Sequence, residues 1–258
     1  MYVESSGHGA PLVLLHGWAL SLRVFDSLVP MLESTRQVIR VDLPGHGRTP
    51  WDARAATLAG QAAMLREALV KLPDARAPYV LVGWSLGGQI ALELAARQRD
   101  EVRALVLIAT SPRYTRNETW PYGPTRATLE RLANELTRNW RSAVGEFLEL
   151  QVRGSAERER VLRELRAALT RQGEPDPAAL AAGLEMLGSI DLRARLGAIP
   201  QPALALAGQY DRIAPPEASR ELATRLPEGR YAEVRRAGHA PFLSHPGEVA
   251  RLVLEFIA

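Results

Sequence analysis

The chain has 258 residues, 47% of them hydrophobic and 24% charged, a composition typical of one soluble globular domain or of one domain with an insertion. It contains no cysteine, which excludes disulfides, thiolate metal sites and a cysteine nucleophile. The formal net charge of +3 comes almost entirely from arginine, and no basic run has interleaved aromatic residues, so nothing indicates a nucleic-acid partner. No apolar run has the length of a membrane span, and residues 1–17 lack the pattern of a signal peptide. We expect a cytoplasmic protein, and a monomer, because no coiled-coil signal is present.

Short apolar runs alternate with helical patterns along the first part of the chain. Buried strands are predicted at 11–17, 37–45, 79–85 and 102–110, with helical spacing at 22–34, 57–72 and 86–98. The chain then has only helical patterns, at about 124–138, 140–152, 155–171 and 177–188, before two further strands at 203–211 and 230–236. Alternation of this kind predicts an α/β fold with a mostly parallel sheet covered by helices on both faces. We assign residues 1–111 and 189–258 to this core and residues 112–188 to an inserted helical cap.

The sequence GWSLG places Ser85 where a predicted strand ends and a predicted helix begins. This is the context of the G-x-S-x-G nucleophile elbow, a sharp turn that exposes a serine hydroxyl above the end of a strand. Side chains at Gly83 and Gly87 would collide with such a turn. The alternative interpretation is a glycine-rich turn that packs a helix closely on its strand.

A serine nucleophile needs a histidine base that a carboxylate orients. In folds with this elbow the partners follow in the order serine, acid, histidine, which leaves His239 and His245 as bases. His239 follows a strand and a glycine, whereas His245 lies at the start of the last helix and reads as structural. Asp211 ends a strand at the same sheet edge as Ser85 and is the predicted acid. Two other aspartates fit less well: Asp191 reads as a helix N-cap, and Asp42 precedes the serine.

Acyl transfer also needs two N–H donors for the oxyanion. The main chain of Leu86, directly after the nucleophile, is one candidate, and that of Trp18, in the loop after the first predicted strand, is the other. We expect His16 and His46 to shape loops and His8 to be exposed. No cofactor is expected, and no motif such as H-E-x-x-H indicates a metal site.

Five stretches together carry a family resemblance: LLHGW, DLPGHGRT, GWSLGGQIAL, GQYDRIAP and AGHAPFLSHP. The chain resembles the α/β-hydrolase fold family over almost its whole length. More narrowly, HGW, GWSLGG, ETWP and FLELQ resemble the pimeloyl-[acyl-carrier protein] methyl ester carboxylesterases of biotin synthesis. The resemblance implies a triad of Ser85, Asp211 and His239, an oxyanion hole at Trp18 and Leu86, and substrate contacts from Trp18. It also implies an acyl channel lined by Phe147, Leu148, Glu149, Leu150 and Gln151.

The resemblance further implies that arginines of the cap hold an acidic acyl-carrier protein. Residues 113–171 contain 12 arginines and 8 glutamates, a net charge of +4. The predicted contacts are Arg138, Arg141, Arg158, Arg160 and Arg163, although helix pairs such as Glu159–Arg163 and Arg160–Glu164 compete for some of them. Ser142 and Glu146 stand where the family pattern has arginine, which puts the carrier-protein contact in doubt more than the esterase activity.

The sequence thus favours a serine carboxylesterase acting on the methyl ester of pimeloyl-[acyl-carrier protein]. A general short-acyl esterase or lactonase on the same scaffold stays open, since the shape of the pocket is not readable from the residues. Outside enzymes, the alternative is a ligand-binding protein that keeps the fold without turnover.

Overall fold

A computed structural model describes residues 1–258 and contains one seven-stranded sheet in the order β1-β3-β2-β4-β5-β6-β7. β1 pairs antiparallel with β3, and all other neighbours are parallel. The predicted fold class, a mostly parallel sheet with helices around it, is confirmed. The strands are β1 (Val3–Ser6), β2 (Pro11–Leu15), β3 (Gln37–Val41), β4 (Tyr79–Trp84), β5 (Val102–Ile108), β6 (Ala203–Gly208) and β7 (Gly229–Val234).

Ten α-helices accompany the sheet. They are α1 (Val29–Leu32), α2 (Leu58–Val70), α3 (Leu86–Arg97), α4 (Arg126–Arg138), α5 (Trp140–Gln151), α6 (Arg158–Thr170), α7 (Pro177–Ser189), α8 (Pro216–Arg225), α9 (Pro241–Ser244) and α10 (Pro246–Phe256). Every residue of β4 and of β6 is buried, as expected for central strands covered on both faces. No helix is both long and apolar enough to cross a membrane.

Two elements differ from the sequence predictions. β1 was not predicted, because this edge strand is short and only half buried, and so lacks a continuous apolar run. The helix expected at 22–34 is instead a 3₁₀ turn, Leu22–Phe25, followed by the single turn α1. Pro30 lies in the first turn of α1, where its missing N–H costs nothing, and it could not lie inside one continuous helix.

The helices α4 to α7 follow one another between β5 and β6, close to their predicted ranges. Polar side chains cap three of them: Thr125 accepts from the Thr128 N–H, Asn139 from the Ser142 N–H, and Asp176 from the Ala178 N–H. Buried residues of these helices belong to the same hydrophobic cluster as the sheet. We call α4 to α7 the helical segment; its assignment as a separate cap over 112–188 stays a prediction.

Candidate active site

Ser85 lies in the turn between β4 and α3, at φ 55° and ψ −118°, a backbone conformation that non-glycine residues rarely adopt. Its N–H donates to the Ile108 carbonyl at 2.9 Å, which ties the turn to the end of β5. Glycine is required on both sides of the serine. A Cβ on Gly83 would lie 2.5 Å from the Gly87 carbonyl oxygen, and one on Gly87 would lie 2.3 Å from the Leu15 carbonyl oxygen. The turn therefore has the tight form that the sequence predicts.

The structure brings Asp211 and His239 together at the carboxyl edge of the sheet. The Nδ1 of His239 lies 2.7 Å from Oδ2 of Asp211, and both residues are buried. The other carboxylate oxygen of Asp211 accepts the N–H groups of Ile213 at 2.8 Å and Ala214 at 3.0 Å. Because a carboxylate only accepts, Nδ1 of the neutral imidazole carries the proton and Nε2 keeps its lone pair. This is the tautomer that a general base requires.

The loop that carries His239 is fixed by main-chain contacts. The His239 N–H donates to the Gln151 carbonyl at 2.9 Å, and the His239 carbonyl accepts from Trp84 Nε1 at 2.8 Å. Trp84 is the residue before Ser85, so the histidine loop and the serine turn are tied to each other. His245 lies apart from this group, at the N-terminus of α10, with its Nδ1 2.8 Å from the Ser244 hydroxyl.

Ser85 and His239 are not hydrogen-bonded to each other. The Nε2 of His239 is buried without a hydrogen-bond partner, and Ser85 Oγ lies 3.3 Å from the hydroxyl of Tyr114. Tyr114 was missed at the sequence level. The sequence shows only that Tyr114 comes six residues after the end of β5, the strand that lies next to β4 in the sheet. This position does not indicate that the Tyr114 ring turns back toward Ser85.

Both predicted oxyanion residues adjoin the serine. Leu86 is the first residue of α3, so its N–H has no partner within the helix. Trp18 is buried in the loop after β2, and a Cβ on the preceding residue, Gly17, would lie 3.3 Å from the Ser85 Cβ. The Trp18 indole is held by a hydrogen bond from Nε1 to the Leu180 carbonyl, at 2.9 Å.

The predicted channel residues of α5 have different surroundings. Phe147 packs edge-on against the Trp18 ring, 4.9 Å between centroids, and Leu148 is fully buried. Glu149 points to solvent and pairs with Arg166 at 3.0 Å. Leu150 is exposed, whereas Gln151 is buried and supplies the carbonyl that holds His239.

A cleft of about 630 Å³ lies between the helical segment and the sheet edge. Tyr114 lines it, so the cleft reaches the residue that contacts Ser85 Oγ. Phe147 and Leu150 line it too, while Leu148, Glu149 and Gln151 do not. Its charged lining residues are Arg131, Arg153, Arg212, Glu135 and Glu146. The cleft thus combines an apolar interior with a small excess of arginine.

The five arginines predicted to contact a carrier protein fall into two groups. Arg141 pairs with Glu174 and stacks on the Trp140 ring at 4.6 Å. Arg160 pairs with Glu164 at 2.6 Å and donates to the Leu243 carbonyl at 3.0 Å. The other three lie on the helical segment and have no carboxylate within ion-pair distance: Arg138, Arg158 and Arg163. Of the two helix pairs that the sequence suggests, Arg160–Glu164 is therefore formed and Glu159–Arg163 is not.

His16 and His46 form a buried pair beside the site, with ring centroids 5.4 Å apart. The Nε2 of His16 accepts the Leu43 N–H at 3.0 Å, so its Nδ1 donates to the Gly17 carbonyl at 2.8 Å. Burial lowers the pKa of His16 to about 4. Burial, followed by the neighbouring His16, lowers the pKa of His46 to about 3. Both rings are neutral at physiological pH and hold loops in place, as the sequence predicts.

Known proteins resemble this chain in sequence and in fold. A family model described as the alpha/beta hydrolase fold matches residues 10–246. A pimeloyl-[acyl-carrier protein] methyl ester esterase of Xanthomonas campestris is 41% identical over 258 residues, covering 100% of this chain and 99% of the relative. One of the same description from Nitrosomonas europaea is 39% identical over 246 residues, 95% of each chain. An esterase structure from Exiguobacterium antarcticum has the same fold, with a TM-score of 0.90 at 23% identity over 99% of this chain and 94% of that one.

Proposed function

The chain belongs to the α/β-hydrolase fold family, and from this premise we propose that it is a serine carboxylesterase in which Ser85, His239 and Asp211 form the catalytic triad. The observation that carries the proposal is the 2.7 Å bond between His239 Nδ1 and Asp211 Oδ2 beside the strained serine turn. It leaves Nε2 of the histidine with a lone pair at the edge of the sheet that carries Ser85, whose Oγ contacts the cleft residue Tyr114.

The reaction proceeds in two halves. Ser85 Oγ attacks the ester carbonyl carbon while His239 Nε2 takes the hydroxyl proton, and the N–H groups of Leu86 and Trp18 bind the oxyanion. His239 then gives this proton to the departing alkoxide, which leaves as an alcohol. In the second half, water attacks the acyl-enzyme with His239 as base, and the acid is released as Ser85 regains its proton. Asp211 stabilises the charged imidazole in both halves.

We further propose that the substrate is the methyl ester of pimeloyl-[acyl-carrier protein], so that the alcohol released is methanol. The support is the description of relatives about 40% identical over the full length of the chain. The cleft agrees with a long acyl chain, since Phe147, Leu150 and Leu187 give it an apolar interior. In this proposal residues 112–188 act as the cap over the acyl chain. A cytoplasmic location and a monomeric state remain predictions.

Docking of the carrier protein is proposed to use the three arginines without carboxylate partners, Arg138, Arg158 and Arg163. Arg141 and Arg160, which already have glutamate partners, would have to exchange them. The arginines that line the cleft, Arg131, Arg153 and Arg212, add further positive charge that would attract an acidic carrier protein.

The replacement Ser85→Ala tests the triad. It removes the nucleophile without adding atoms, so we expect the fold and the melting temperature to stay close to wild type. Hydrolysis of a simple aryl ester is expected to fall by roughly 10⁴-fold or more. Ser189→Ala, at an exposed serine of α7, is the matched control and keeps full activity. A Ser85→Ala protein with wild-type turnover would end the proposal.

The substrate is tested by comparing the carrier-bound methyl ester with free short methyl and aryl esters. Replacement of Arg138, Arg158 and Arg163 together by Gln is expected to lower kcat/KM for the carrier-bound ester about tenfold, and less at high salt. Hydrolysis of the free esters stays unchanged. Gln at Arg76, Arg99 and Arg103 is the matched control, because these exposed arginines lie at the amino ends of β4 and β5, the edge of the sheet opposite Ser85. Arg76 and Arg99 precede the two strands, and Arg103 is the second residue of β5. Free esters hydrolysed as fast as the carrier-bound one, with no effect of the triple replacement, would favour a general esterase.

A further inference from the structure

The hydroxyl of Tyr114 is the only side-chain group within hydrogen-bond distance of Ser85 Oγ. The two oxygens are 3.3 Å apart, and both residues are buried. The same Tyr114 hydroxyl lies 3.3 Å from the carbonyl oxygen of Ala109. The proposed triad does not account for this contact, and no motif in the sequence announces it.

The main chain around Tyr114 holds it in this position. Ala109 follows β5 directly and has φ 47°, in the left-handed region that alanine rarely adopts. This turn directs the chain back over α3, where Gln89 Nε2 donates to the Ser111 carbonyl at 3.0 Å. On the other side, a Cβ on Gly123 would lie 2.1 Å from the Tyr114 carbonyl oxygen. The main chain of Tyr114 is thus held between two tight turns, and its hydroxyl lies against Ser85 Oγ.

The proton of the tyrosine has two possible acceptors. When it is donated to the Ala109 carbonyl, Tyr114 can only accept from Ser85, and the serine proton then points away from His239. When it is donated to Ser85 Oγ, the serine proton is free to go to His239 Nε2. Burial raises the pKa of the Tyr114 hydroxyl, so it stays protonated and able to donate at the pH where histidine acts as a base.

We propose that Tyr114 is a further catalytic residue, whose hydroxyl donates a hydrogen bond to Ser85 Oγ whenever that oxygen carries negative charge. This occurs twice: as Oγ attacks the ester, and again as Oγ leaves the acyl-enzyme in the second half. The proton of Ser85 goes to His239 and returns from it, while Tyr114 keeps its own proton throughout. The inference rests on the proposed serine esterase function and adds a donor on Oγ to the two donors on the oxyanion.

Tyr114→Phe tests this, because it removes the hydroxyl and keeps the ring. Loss of a hydrogen bond to a developing charge, at this long distance, is expected to lower kcat about tenfold and leave KM unchanged. The factor should be the same for short-acyl and long-acyl esters, since the donor acts on the serine oxygen and not on the acyl chain. The bimolecular rate at which an aryl dialkyl phosphate labels Ser85 should fall by a similar factor, because this probe reports the reactivity of Oγ and does not need the acyl cleft.

Tyr79→Phe is the matched control. Its hydroxyl is also buried and lies near the carbonyls of Leu69 and Ala75, at the amino end of β4 and away from the site. It should leave hydrolysis and labelling at wild-type rates. Wild-type or faster rates in Tyr114→Phe would overturn the inference, and faster rates would mean that the tyrosine restrains the serine. A loss that depends on acyl length, with normal labelling, would also overturn it and assign Tyr114 to the shape of the cleft.

The two proposals fail in different ways. If Tyr114→Phe equals wild type while Ser85→Ala is inactive, only the role of Tyr114 is lost. If the wild-type protein neither hydrolyses esters nor reacts with the phosphate probe, the proposed function is wrong and the inference falls with it.

Discussion

The loops at the carboxyl ends of the strands and the helical segment α4 to α7 hold their polar residues in different ways. In the loops, Ser85, Asp211 and His239 are each at most 3% exposed, and main-chain hydrogen bonds fix their positions. In the helical segment most charged residues are exposed, and those that pair do so through their side chains, as Arg126 does with Glu130 at 3.1 Å. The proposed chemistry therefore depends on main-chain packing that tolerates little change, whereas the proposed recognition of a carrier protein depends on side chains that can be exchanged.

Addition of one methyl group to each region is the strongest test of this contrast. In the loops, the Cβ of Gly87→Ala would lie 2.3 Å from the Leu15 carbonyl oxygen and 2.7 Å from that of His16. Relief of this overlap must move α3 away from β2 and displace both Ser85 and the Trp18 loop. We expect a loss of about 3 kcal/mol in the free energy of unfolding and about 100-fold in kcat/KM. Chemical denaturation and an aryl ester assay measure the two effects.

Gly145→Ala is the matched change in the helical segment. Gly145 lies inside α5, and an added Cβ would have no atom within 4 Å. Alanine is the better helix former, so the free energy of unfolding should rise by about 0.5–1 kcal/mol with activity unchanged. Equal losses of stability and activity in Gly87→Ala and Gly145→Ala would show that the main chain of the loops is no less tolerant of change than that of the helical segment.

The same contrast explains what could be predicted from the sequence. The turn at Ser85 was predictable because its requirements are local: a buried strand, glycine two positions away on each side, and a helix directly after. Asp211 and His239 could be placed at one sheet edge because parallel strands end together, and the structure has them 2.7 Å apart. The catalytic roles of Ser85, Asp211 and His239 remain predictions, which the Ser85→Ala experiment begins to test.

The features that were missed depend on contacts between residues far apart in the chain. Tyr114 contacts Ser85 only because of the turn at Ala109, and alanine carries no signal for a left-handed conformation. Gln151 was expected in the acyl channel, but its carbonyl holds the His239 loop, which a side-chain pattern cannot indicate. The ion pair between Arg141 and Glu174 joins residues 33 positions apart, so only the short-range pair of Arg160 and Glu164 could be anticipated.

A further test of the comparison uses pH, because the loops hold neutral histidines in the interior. The pKa values of His16 and His46 are lowered from 6.5 to about 4 and about 3, chiefly by burial. Between these values and 6.5 the unfolded chain binds protons that the folded protein does not, so stability falls as the pH is lowered. Each histidine is expected to remove about 3 kcal/mol from the free energy of unfolding between pH 7 and pH 4. Asp42 works in the opposite direction, since burial raises its pKa.

The variant His46→Gln separates the contribution of His46 to the pH dependence from those of His16 and Asp42. The variant is less stable than wild type at pH 7 because a packed ring is lost, but its further loss of stability between pH 7 and pH 4 should be smaller by about 3 kcal/mol. His8→Gln, at an exposed position, is the control for removal of a histidine outside the interior. Urea unfolding of the three proteins across this pH range gives the slopes directly. If His46→Gln keeps the wild-type slope, His46 is not a neutral buried ring, and the acid sensitivity assigned to these loops must come from another group.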